Sequence, residues 1–210
     1  LVPATQAQIT APVHADTDLL LGFDVGEATV QSLDLPLEPE RSFSVQVMVD
    51  GSSKVLNLWP HSIRSPHSFE VLAQVESGDL VPVSVGAPKT LRGVVDGYPE
   101  SIITGSLTGG SLTAIIRLAP GASLWTIQPA RDVDPLAPAA SHVVFDSGDT
   151  LPIDAVCGLR TTRADDHSTP PEQAYAGGVI KVCEIAVDAD VEFYNKNSSS
   201  VNQTENDIEN

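Results

Sequence analysis

Between Ala28 and Phe145 the chain alternates polar and apolar residues in short runs, most of them closed by Gly, Pro or Asp. A two-residue period puts alternate side chains on opposite faces of a strand and leaves no helical stripe, so it restricts this region to β structure. Ser42-Phe43-Ser44-Val45-Gln46-Val47-Met48-Val49 sets Phe43, Val45, Val47 and Val49 on one face. Asp50-Gly51 follows as a hairpin turn, and residues 54–59 read as the return strand. Further strands are expected over 67–75, 90–99, 101–107, 111–118, 123–129 and 142–145. Short strands joined by such turns predict a mainly β fold, an antiparallel sandwich or barrel. Trp59 and Trp125 are expected in its core, with a sugar-binding platform as the alternative.

The chain has 28 acidic and 11 basic residues, a formal charge of −17. That charge repels nucleic acid and anionic lipid and argues against both as partners. Most of the carboxylates read as a solvated surface, one that also suits calcium or other cations. No run is long and apolar enough to span a bilayer. Residues 2–8 read either as what remains after signal cleavage or as a fragment end. Two cysteines, Cys157 and Cys183, are too few for a disulfide scaffold.

The organisation expected from composition is a poorly ordered lead-in over 1–27 and a β-rich module over 28–159. An exposed linker over 160–178 and the start of a second domain over 179–210 follow. Residues 179–187 read as the first strand of that second domain. Thr204 and Asp207 form a cap-like pair for a helix start. Cys157 sits at the end of the β-rich module, in Ala155-Val156-Cys157-Gly158. On its residues alone it is a buried structural cysteine, half of a disulfide with Cys183, or a metal-binding thiol. His61 and His67 bracket a five-residue loop, as two metal ligands or as surface histidines. None of the five histidines has the spacing of a hydrolytic zinc motif.

Several short segments recur in an order that resembles the pro-domain of the reprolysin/ADAM metalloproteases, a metzincin family. They are Leu91-Arg92-Gly93, Pro99-Glu100-Ser101, Gly110-Ser111, Ile127-Gln128-Pro129 and His142-Val143-Val144-Phe145. Cys157-Gly158 and Glu184-Ile185-Ala186-Val187-Asp188-Ala189-Asp190 then match the family's switch-like cysteine and the first strand of its protease domain. The resemblance implies a secreted zinc metalloendopeptidase precursor, with this chain as its inhibitory and folding-assisting front part. Cys157 would be the zinc-blocking thiolate, and Gly158 would let the backbone approach the cleft. Activating cleavage would fall near Arg160 and Arg163, and Glu184 would be a possible calcium ligand. The implied partners are the protein's own catalytic domain, an activating protease and protein substrates. The chain departs from the family in lacking a basic Arg-x-Lys-Arg processing site and any His-Glu-x-x-His. It should therefore be inactive alone. The alternative reading is a non-enzymatic extracellular β-sandwich used for binding or adhesion.

Overall fold

The computed structural model describes residues 11–65, 69–75, 77–152, 191–196, 200–201, 204 and 208. Residues 11–151 fall within one compact unit, and the fold described below is that of this unit. Its strands are β1 Val13–His14, β2 Thr29–Ser32, β3 Phe43–Val49, β4 Ser52–Pro60, β5 Leu72–Gln74 and β6 Leu80–Pro82. They continue as β7 Thr90–Val95, β8 Tyr98–Thr108, β9 Ser111–Arg117, β10 Leu124–Pro129 and β11 Ser141–Asp146, with one helix, α1 Thr17–Gly22, near the start. Nine of them form a single antiparallel sheet in the order β1-β2-β11-β10-β9-β8-β7-β4-β3. The sheet curls into a half-barrel, so the fold is mainly β and the barrel alternative describes it better than the sandwich.

Tight turns set the register. Asp50 and Gly51 both have positive φ (52° and 64°), the conformation of a type I′ hairpin, and close β3 on β4 with Val49 opposite Ser52. Gly109-Gly110 closes β8 on β9 in the same way. The face expected for β3 is the one observed: Val45, Val47 and Val49 are buried, and Phe43 packs against the same core. Inside the curl they meet Leu56 and Leu58 of β4, Ile103 and Leu107 of β8 and Ile116 of β9. Each such side chain contributes roughly 1.5–3 kcal/mol by leaving water. Trp125 packs against this core as expected, whereas Trp59 lies on the outer face and is 38% exposed. Its place in the strand explains this, because Trp59 follows inward-facing Leu58 by one residue.

Two side chains complete the curl. Gln31 of β2 is buried, and its amide acts as one residue of a missing strand. Its Oε1 accepts from the Met48 N–H (2.8 Å) and its Nε2 donates to the Met48 carbonyl (2.9 Å), tying β2 to the free edge of β3. Beside it in register is His142 of β11, which is fully buried. His142 Nδ1 bonds the Ala140 carbonyl (2.8 Å), and its Nε2 accepts from the Leu112 N–H (3.0 Å). An acceptor at Nε2 requires the neutral ring with its proton on Nδ1.

Burial lowers the pKa of His142 from its ordinary 6.5, and the bond to Ala140 offsets only part of that. Between the lowered folded pKa and 6.5 the unfolded chain therefore binds the extra proton. The stability linked to His142 is fully present above pH 6.5 and is lost as pH falls through that window. In urea titrations the stability advantage of the wild type over His142→Gln should shrink on acidification from pH 7 into this window. An advantage constant over that range would remove His142 from the pH response.

Three expectations are corrected. Within the lead-in expected over 1–27, residues from 11 onward are built into the fold. Asp16 caps α1 by accepting from the Leu19 N–H (3.0 Å), and Leu19, Leu20 and Phe23 cover Val143 and Phe145 on the outer face of β11. The strand expected over 67–75 is three residues long within the described part. It pairs with β6 in a separate ribbon and does not join the main sheet. Near the end, Val191–Lys196 is helical (α2). Thr204 is no cap, since its N–H and its hydroxyl both bond the Ser200 carbonyl, as they would within a helical turn.

Candidate functional site

In one concave place on the described surface a free cation, hydroxyls and apolar walls converge. It lies on the outer face of the sheet. Register puts Arg92 of β7 between Trp59 of β4 and Thr104 of β8, and Thr104 opposite Ile115 of β9. One pair of residues along, Ile102, Arg117 and Leu124 form a second row. After β4 the chain stays on β7: the His61 N–H bonds the Thr90 carbonyl (3.0 Å) and the Thr90 hydroxyl donates back to the His61 carbonyl. This contact carries Ile63 over the sheet and leaves a hollow of about 210 Å³ lined by His61, Ile63, Thr90, Leu91, Arg92, Thr104 and Gly105.

The face combines exposed apolar residues with positive charge. Trp59, Ile102, Ile115 and Leu124 are between 38% and 45% exposed. Two arginines stand among them, and neither has a carboxylate partner among the described residues, although the chain carries 28 acids. The Nε of Arg117 is buried with no acceptor. Sequence reading singled out Leu91-Arg92-Gly93 but did not find the site, because the hollow depends on the path of residues 61–63 over β7. The one local signal is a charged residue at an outward strand position, between two residues the core requires.

The residues expected to carry chemistry, Cys157, Gly158, Arg160, Arg163 and Glu184, and the second cysteine, Cys183, lie outside the described residues. So does His67, the partner expected for His61. Among the described residues no three His, Cys, Asp or Glu side chains are grouped to hold a metal ion. No described helix is long and apolar enough to cross a membrane.

What the described site can do chemically is bind. Arg92 offers a planar fork of N–H donors suited to a carboxylate. Thr104 adds a hydroxyl, and Ile63 and Ile115 add apolar contact. It holds no nucleophile paired with a base. No family model and no curated protein matches the chain.

Proposed function

We propose that this chain is the pro-segment of a secreted zinc metalloendopeptidase precursor, keeping the protease domain latent and assisting its folding. In this reading the Cys157 thiolate takes the position that a hydrolytic water needs on a zinc ion held by the protease domain. Cleavage between Arg160 and Gly178 removes it, and Glu184 contributes to a calcium site at the start of the protease domain.

The observation that carries the reading is where the resembling residues fall in the fold. Gly93 lies where a Cβ would come within 2.6 Å of the Asn57 carbonyl oxygen. Ser101 accepts from the Val95 N–H (2.7 Å) and donates to the Tyr98 carbonyl (2.6 Å) at the β7–β8 turn, Gly110 closes the next hairpin, and His142 anchors Leu112. Four of the five resembling segments thus fall at a close approach, a turn, a hairpin closure and a buried side-chain bond of this β module, and that placement is what supports the reading. The test is to express the full precursor in a secreting host and assay peptidase activity before and after limited proteolysis. The wild type is expected to be latent until cut, and Cys157→Ala active uncut. A cut precursor with no peptidase activity would overturn the protease reading. An active one with a still-latent Cys157→Ala would overturn only the thiolate.

A second reading has one observation in its favour. The exposed Trp59, Ile102, Ile115 and Leu124 around the Arg92 hollow suit a non-enzymatic extracellular binding or adhesion module.

A further inference from the structure

Leu91-Arg92-Gly93 contains one residue that the fold does not use. Leu91 is buried in the core, and Gly93 is required by the close approach of β4. Arg92 between them is exposed, lines the hollow, and meets no carboxylate among the described residues. Any polar residue would satisfy an outward strand position, and a chain of charge −17 has acids to spare for an internal partner. Leaving a guanidinium unpaired amid Trp59, Ile63 and Ile115 is the composition of an interface centre, where Arg and Trp are enriched and surrounding apolar contacts exclude water.

We infer that this hollow is a docking site for an extended segment of a partner protein that carries a carboxylate beside an apolar side chain. The carboxylate pairs with the Arg92 fork, with the Thr104 hydroxyl alongside, and the apolar side chain enters the hollow against Ile63. Charge complementarity selects this occupant. The guanidinium is the cation of the hollow's lining, and a cationic or neutral segment would leave it unpaired and partly desolvated. The anionic remainder of the surface opposes an acidic partner at long range, but physiological salt screens it beyond about 8 Å. At contact the local guanidinium decides. The inference holds for either reading above, since it specifies what this face binds and not whether Cys157 blocks zinc.

The test is an NMR titration of the ¹⁵N-labelled full chain with two peptides, acetyl-Leu-Glu-Leu-amide and its neutral counterpart acetyl-Leu-Gln-Leu-amide. The acidic peptide should give saturable shifts at the amides of Ile63, Arg92 and Thr104, with a Kd of about 1 mM, as suits so short a probe. The neutral peptide, and the acidic peptide on Arg92→Gln, should each bind about tenfold more weakly, the size of one charge-assisted pair. Comparing the two peptides on the wild type makes the test independent of how the variant folds. Absence of saturable shifts in this region, or equal shifts with both peptides, would overturn the inference. Self-association that buries Arg92 without peptide would assign the face to a second copy of this chain and overturn it equally.

Discussion

Gly105→Val should leave the protein unfolded or nearly so at 25 °C. Gly105 faces into the half-barrel from β8, between Leu91 of β7 and Ala114 of β9. A Cβ placed there would lie 2.2 Å from the Thr113 carbonyl oxygen and 2.9 Å from both Cα and Cβ of Ala114. Two of those three atoms are backbone. No rotamer change relieves the overlap, and β8 can withdraw only by giving up its pairing with β9. Overpacking of a core alone costs about 1–3 kcal/mol. Loss of pairing in the middle of the sheet adds to it, against a total stability of about 5–15 kcal/mol. Gly105→Ala, which introduces the same Cβ without the branches, should show a smaller loss of the same sign. Urea unfolding followed by circular dichroism measures both. A wild-type midpoint for Gly105→Ala would mean that β8 and β9 do not approach as closely as described.

Gln31→Leu should be the next most damaging change, at about 2–4 kcal/mol, because it orphans two main-chain groups at once. In the wild type the Gln31 amide satisfies the N–H and the carbonyl of Met48, and its Nε2 also donates to the Thr29 hydroxyl (3.0 Å). Leucine fills similar volume and satisfies none of these. Gln31→Glu should fall between, since a carboxylate can accept from the Met48 N–H but repels the Met48 carbonyl. Hydrogen exchange at the Met48 amide separates this effect from general destabilisation: in Gln31→Leu it should quicken well beyond the shift in global stability. Unchanged relative protection at Met48 would show that the clasp does not hold β3. The change should also raise aggregation. The β3 segment Phe43–Val49 has no charge and no proline, and releasing its edge exposes a row of unpaired donors and acceptors.

The sheet could be read from the sequence because its strands are specified locally. Alternation from Phe43 to Val49 and the Asp50-Gly51 turn fix both the face and the register of the first hairpin, and both appear as expected. What escaped reading is what depends on contacts far along the chain. A glutamine in a strand carries no sign that its amide will bond Met48, and His142 carries none that it will bond Leu112. Residue type alone sends Trp59 to the core, while its position one step from Leu58 places it outside. Helix α1 had a signal, Asp16 followed by Leu19, Leu20 and Phe23, but six residues is too short for periodicity to stand out. The Arg92 hollow exists because His61 is bonded to Thr90 of β7 and Ile63 follows over the sheet, which no spacing in the sequence encodes. Cys157 and Glu184 lie outside the described residues, and their roles rest on the resemblance and its test.

The neighbouring placement of β2 and β11 has a mechanical consequence. The chain enters and leaves the half-barrel side by side, joined by a ladder whose outermost contacts are the Leu151 N–H to the Asp24 carbonyl (2.6 Å), the Val25–Thr150 bridge and the Gly26 N–H to the Asp149 carbonyl (2.8 Å). Tension applied through the two flanking segments would first strip β1 from β2 and α1 from β11, then load these bonds one after another, reaching the Thr29–Val144 pair only when they have gone. Such a ladder unzips under low force, where one sheared along its length would resist as a block. A pull across the two flanks would therefore open this module at β1, α1 and then the seam before disturbing the hairpins β3–β4 and β8–β9.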